Sequence, residues 1–138
     1  MFDSVNVTSE YDVVKLQVGQ LRPSEEIDIE GARALANTIA ESGRWTTPIL
    51  VERRHWVIMD GHHRYFCASQ LGLSLIPCVL LSYDDPNLHV TSWSDSEPLA
   101  VDRIIQAGLS GNLLSFKTTR HRLKVQLPSC SVQLDDLR

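Results

Sequence analysis

One stretch, Trp56-Val-Ile-Met-Asp60-Gly61-His62-His63-Arg64-Tyr-Phe-Cys-Ala-Ser-Gln-Leu71-Gly72, limits what the rest of the chain can build around it. The apolar, β-branched run from Trp56 to Met59 stops abruptly at Asp60-Gly61. An amphipathic pattern with Tyr65, Phe66, Ala68 and Leu71 starts at once and ends at Gly72. This order predicts a strand, a tight turn and a helix. The first amides of such a helix have no intrahelical partner, and the helix dipole puts partial positive charge at the same point, so the turn favours anions. Gly61 lets the backbone approach a ligand, His62, His63 and Arg64 add donors, and Asp60 stands at the lip. Two readings follow: a phosphate cradle, or an ordinary strand-to-helix turn with solvated histidines.

With 138 residues, 43% of them hydrophobic, the chain can bury a real core yet is too short for two ordinary domains, so residues 1–138 are read as one domain. A net charge of −4 and a pI near 5.7 argue against a protein that lives on nucleic acid, whose phosphates call for a basic surface. The basic residues cluster locally, at Arg53-Arg54-His55 and from Lys117 to Arg122, which suits a small anion better than a duplex. Cys67, Cys78 and Cys130 are widely spaced and include no C-x-x-C pair, so neither a disulfide framework nor a zinc site is indicated. Cys67 and Cys78 are expected to pack in the core. The N-terminus lacks a basic region followed by an apolar run, and no stretch approaches the roughly 20 apolar residues of a membrane span. A cytoplasmic protein with no membrane partner is the expectation.

Residues 1–12 read as an irregular lead-in. Val13 to Leu21 alternates and predicts a half-buried first strand, ended by Pro23. An acidic loop from Arg22 to Asp28 precedes a helix from Ile29 to Glu41, with Leu35, Ala36, Ile39 and Ala40 on one face and Ser42-Gly43 closing it. Acids in such a loop can serve the helix dipole or supply a general base. Ile49 to Val51 and Trp56 to Met59 predict a hairpin around Arg53-Arg54-His55. Leu73 to Leu81 contains Pro77, which predicts an edge strand or a strand starting just past the proline. His89 to Trp93 reads as a last short strand, with Trp93 packed at the core or rim. Leu99 to Leu109 predicts a helix with Val101, Ile104, Ile105 and Leu109 inward. Residues 112–138 form a C-terminal basic loop and strand. Within them, Lys117-Thr118-Thr119-Arg120-His121 offers two cations, two hydroxyls and a histidine. The run reads as an anion clamp or as a solvated loop before a strand at Arg122 to Leu127.

The order of elements and the G-x-x-R turn in Asp60-Gly61-His62-His63-Arg64 resemble the ParB/sulfiredoxin-like fold, and within it the free L-serine kinases. These phosphorylate serine with ADP or ATP to give O-phospho-L-serine. The resemblance extends over most of the chain: Pro23-x-Glu25, Ser42-Gly43, Pro48, Asp60 to Arg64, Val90-x-x-Trp93, Lys117 to His121, and Val132-x-Leu134-x-Asp136-Leu137 come in the kinases' order. Sulfiredoxins have their catalytic cysteine in a G-C-H-R turn, where this chain has His62. The DNA-partition proteins have G-E-R-R and use CTP, and no helix-turn-helix pattern is read here. Archaeal serine kinases have a long second segment before the basic run. Here it is replaced by about two dozen residues after Trp93, which implies a reduced cleft.

The resemblance implies an α+β, ParB/sulfiredoxin-like single domain, a small mixed sheet with a hairpin flanked by about three helices. It implies Glu25 as the base that takes the serine hydroxyl proton, and Asp60, with Mg²⁺, as the holder of the transferring group. Gly61, His62, His63 and Arg64 would bind phosphate. Lys117, Thr118, Thr119, Arg120 and His121 would close over the nucleotide or product phosphates, and Trp93 and Thr47 would wall the amino-acid pocket. The partners implied are free L-serine and ATP or ADP. A ParB-like nucleotide-binding regulator without catalysis and a scaffold that keeps only the fold are the other readings.

Overall fold

In chain order the computed structural model, which describes residues 11–93 and 100–138, runs β1 (Val14–Gln17), a 3-10 turn (Val18–Gln20), α1 (Ile29–Ser42), β2 (Arg44–Trp45), β3 (Ile49–Glu52), β4 (Ile58–Asp60), α2 (His62–Gln70), β5 (Leu75–Leu81), β6 (Leu88–Ser92), α3 (Val101–Ser110), β7 (Thr119–Leu123), β8 (Val132–Gln133) and a closing 3-10 turn (Leu134–Leu137). Most of the expected lead-in, and Leu99 at the expected start of the third helix, lie outside the described residues. The α+β class holds, with three helices and a mixed sheet. No helix among the described residues is long and apolar enough to cross a membrane.

The main sheet has the order β1-β5-β3-β4. β3 is buried at all four positions because it pairs on both edges, antiparallel to β4 and parallel to β5, and a strand covered on both faces needs no polar alternation. α1 and α2 cover one face, where Ala36, Ile39, Cys67 and Ala68 pack on Trp45, Ile49, Val51, Ile58, Ile76 and Cys78. The other face, with Leu50, Met59, Val79 and Leu81, lies under the two-stranded β6–β7 ribbon through Leu88, Val90 and Leu123. Cys67 and Cys78 are fully buried, as their patterns predict. The C-terminus is tied back where Arg44 and Trp45 of β2 pair with Gln133 and Val132 of β8.

Several expectations are corrected. The first strand ends at Gln17 and Val18–Gln20 curls into a 3-10 turn. β5 is internal, paired with both β1 and β3, although it contains Pro77. On the β3 side pairing begins at Cys78, so Pro77 sits just ahead of that ladder and the missing N–H removes no bond from it. The late strand starts at Thr119, not Arg122, so three of the five residues from Lys117 to His121 are strand. β6 is not the last strand, since β7 and β8 follow. Ala40 and Leu109 are exposed, and Ala32 and Ala107 take inward places instead.

Candidate functional site

β4 delivers Asp60 to the sheet edge and the chain turns at Gly61 into α2. Gly61 has φ +106°, and a Cβ there would lie 2.5 Å from Ile49 Cγ2, so sterics require glycine twice over. Its carbonyl accepts the Tyr65 N–H at 2.9 Å, leaving the amides of His62, His63 and Arg64 at the open end of the helix.

Both histidines line the cleft, but the Nε2 atom of each is engaged by the 24–28 loop. His62 is buried, and its Nε2 accepts the Ser24 main-chain N–H at 3.0 Å. Ser24 Oγ donates to Ile58 O at 2.9 Å and lies 3.3 Å from the same Nε2. An Nε2 that accepts carries no proton, so the ring is neutral. Burial first, then the charges of His121 and His63, pushes its pKa down to about 3. His63 Nε2 likewise accepts the Asp28 main-chain N–H, at 3.2 Å. Together the pair latches the acidic 24–28 loop onto the start of α2. Sequence spacing could not show this, because the loop lies more than thirty positions upstream of the rings.

The same loop is joined on its other side to the C-terminal run. Leu114 N–H donates to Ser24 O and Glu26 N–H donates to Leu114 O, both at 2.8 Å. Glu25 Oε1 accepts the Thr118 N–H at 2.6 Å and the Thr119 N–H at 2.9 Å. Both bonds go to one oxygen, which leaves Oε2 for a ligand. Desolvation raises the Glu25 pKa above the ordinary carboxylate range, against the two amides, and the charge of Asp60 raises it further. Asp60 is solvent-exposed, yet enough protein surrounds its carboxyl for desolvation to raise its pKa too, outweighing the Gly61 amide and the charges of Arg64 and His63. Lys117 reaches the site from a residue at φ +59°, a left-handed conformation uncommon outside glycine.

These three segments share a cleft of about 230 Å³ lined by Glu25, Glu26, Met59, Asp60, Gly61, His62, His63, Arg64, Trp93, Phe116, Lys117 and Thr119. Four expected residues are placed differently. Thr118 contributes its amide to Glu25, while its hydroxyl turns back to Ser115 O at 2.6 Å. Arg120 lies over the Trp93 ring at 4.5 Å, outside the cleft. His121 points inward, since strand alternation puts it on the core side of β7. Its Nε2 meets Tyr83 Oη at 2.9 Å, burial lowers its pKa to about 4, and it does not line the cleft. Thr47 is exposed in the connector before β3, where its carbonyl takes the Trp45 indole N–H at 2.7 Å, and it does not line the cleft. Sequence reasoning missed Ser24 and Phe116. Phe116, 41% exposed, meets the His63 ring edge-on at 5.4 Å, and an aromatic beside a basic run was a usable signal for it. Nothing local marks Ser24.

Among the described residues no group of three or more His, Cys, Asp or Glu is placed to hold a metal. Two neighbouring carboxylates, Glu25 and Asp60, whose charges bear on each other, instead fit the way Mg²⁺ binds: one or two carboxylates with substrate phosphates filling the shell.

The latch is testable by stability. His62→Phe orphans the buried Ser24 N–H and is expected to cost about 1–3 kcal/mol in urea unfolding, most of which His62→Gln, with an acceptor oxygen, restores. The pH dependence carries a definite sign. The unfolded chain protonates His62 below about pH 6.5 while the fold holds it neutral to about 3. This contribution is therefore complete above pH 6.5 and is lost as pH falls, by about 2 kcal/mol at pH 5. Glu25 and Asp60, both raised, act in the opposite sense, so the measurement is the pH 7 to pH 5 change in wild type minus that in His62→Gln. A zero difference would show a solvated ring.

Residues 2–94 match the family described as ParB N-terminal domain. A ParB-like protein of Sulfolobus acidocaldarius is 30% identical over 80% of this chain and 58% of its own length. An ATP-dependent L-serine kinase of Staphylothermus marinus is 26% identical over 67% of this chain and 38% of its own. The chain thus spans well under two thirds of these relatives. A solved free serine kinase in complex with AMP superposes with a TM-score of 0.85 over 95% of each chain at 15% identity, a likeness of fold.

Proposed function

The chain belongs to the ParB N-terminal domain family, and from that premise we propose that it is a phosphotransferase making O-phospho-L-serine from free L-serine and ATP or ADP. The observation that carries this reading is Glu25, held through one oxygen by the Thr118 and Thr119 amides in a cleft shared with Asp60 and the start of α2. The names of the similar kinases support it.

A cleft of about 230 Å³ takes an amino acid and terminal phosphates. The nucleoside then lies across the rim, where the exposed faces of Trp93 and Phe116 offer stacking surface. The amides of His62, His63 and Arg64, with the Arg64 and Lys117 side chains, neutralise phosphate charge. Asp60, with Glu25 in the same cleft, would hold Mg²⁺, whose charge would offset that of the phosphates. Glu25 Oε2 takes the proton from the serine hydroxyl as the oxygen forms its bond to the terminal phosphorus. The bridging P–O bond breaks, and ADP leaves from ATP, or AMP from ADP. Desolvation serves this step, since a carboxylate of raised pKa is a stronger base. The acid limb of turnover is expected above the ordinary carboxylate range.

The test is to incubate the pure protein with Mg²⁺, ATP or ADP and a panel of hydroxy amino acids, with mass detection of phosphorylated product. Phosphoserine is the expected result. Nucleotide binding with no phosphorylated acceptor would replace the kinase with a ParB-like nucleotide-binding regulatory module.

A further inference from the structure

Charge is segregated along this chain. Residues 103–134 contain five Lys and Arg and no Asp or Glu, in a protein of net charge −4. The β6–β7 ladder sorts that charge by face. Leu88 pairs with Leu123 and Val90 with His121, and these side chains face the core. The alternate pairs, His89 with Arg122 and Thr91 with Arg120, must then face outward. With Leu123 and Lys124 they line a cavity of about 400 Å³, separate from the catalytic cleft.

Two features of this face call for a ligand. His89 is paired directly across the ladder from Arg122, and the residues that line the cavity include no carboxylate to balance its cations. The ion pairs among the described residues, Glu52–His55 and Asp135–Arg138, involve none of these basic groups. Arg120 and Arg122, two apart on β7, lie about 6.6–6.8 Å apart, and Lys124, in the bend just past the strand's end, extends the basic row that lines this cavity. Such a row is too long for one phosphate and suits several linked ones. Guanidinium forks with an ammonium at the end match phosphate oxygens better than isolated carboxylates.

We propose that the outer face of the β6–β7 ribbon is a second anion site, distinct from the catalytic cleft, that takes a linear polyphosphate chain, either free or as the tail of a nucleotide. The site adjoins the cleft where Arg120 lies over Trp93, which lines the cleft. The proposal stands on register and charge and does not depend on the kinase reading.

The probe is inorganic tripolyphosphate, titrated calorimetrically into the full chain at low salt. The cleft variant Arg64→Ala/Lys117→Ala is expected to retain a 1:1 site that Arg122→Ala/Lys124→Ala weakens about tenfold or more. Phosphoserine formation by the ribbon variant should be unchanged if the kinase reading holds, so the two ideas fail separately. ATP binding to the cleft variant as tightly as tripolyphosphate would identify a nucleotide tail, and tripolyphosphate alone would identify a free chain; both support the site. Undiminished binding by the ribbon variant, complete loss in the cleft variant, or an oligoglutamate peptide binding as tightly as tripolyphosphate would each overturn it.

Discussion

Glu25→Gln is expected to lower turnover by about a thousandfold or more while leaving nucleotide affinity within about twofold. The choice of glutamine follows from the geometry. Its carbonyl oxygen can still accept the Thr118 and Thr119 amides, so the Lys117 turn stays in place, but an amide cannot take the serine proton. A general base acts in the transition state and contributes little to ground-state binding, which is why the two readouts separate. Glu25→Ala is a different experiment. It orphans two amides at about 1–3 kcal/mol each, releases the turn carrying Lys117, and is expected to weaken nucleotide binding as well. Turnover can be followed by phosphoserine mass and binding by calorimetry. If the glutamine variant loses affinity and activity in parallel, Glu25 only secures the turn; if it keeps its activity, the proton goes elsewhere.

Gly61→Ala is expected to cost about 3–5 kcal/mol of stability, because two penalties coincide. The backbone at φ +106° is strained for any L side chain, and the new methyl would overlap Ile49, with Cγ2 at 2.5 Å, Cβ at 2.7 Å and Cα at 3.3 Å. Ile49 is 1% exposed in the central strand and cannot step aside cheaply. For a domain of this size the loss corresponds to a fall in Tm of roughly 10 °C or more. Because the same residue aims the α2 amides, phosphate binding should weaken even at temperatures where the variant is folded. Thermal unfolding within 2 °C or so of wild type would mean that Gly61 does not adopt this turn.

The two variants probe parts of the site that differ in how far local sequence revealed them. The turn at Asp60-Gly61 was legible because the change from strand to helix period happens at one place in the sequence. The first helix was legible too, to within a residue at its end, since its apolar spacing and Gly43 cap are local. The basic run was harder to read. Lys117 to His121 is polar throughout, so nothing announced that a strand begins at Thr119, and strand alternation sends His121 to the core and Arg120 outward. Pro77 misled for a related reason: local sequence shows the lost N–H but not where a neighbouring ladder starts.

Taken alone, the sequence determined the α+β class, the glycine turn with its helix N-terminus, the buried cysteines and, through its motifs, Glu25 and Asp60 as residues of interest. Tertiary structure decided what those residues touch. It brought His62 onto Ser24 and Thr119 onto the Glu25 carboxylate, 38 and 94 positions apart in the chain, and it made the Nε2 atoms of His62 and His63 acceptors that hold the loop. The physical reason is that backbone period and turn chemistry act over a few residues, whereas the partner of a buried polar atom is chosen by whichever distant segment packs against it.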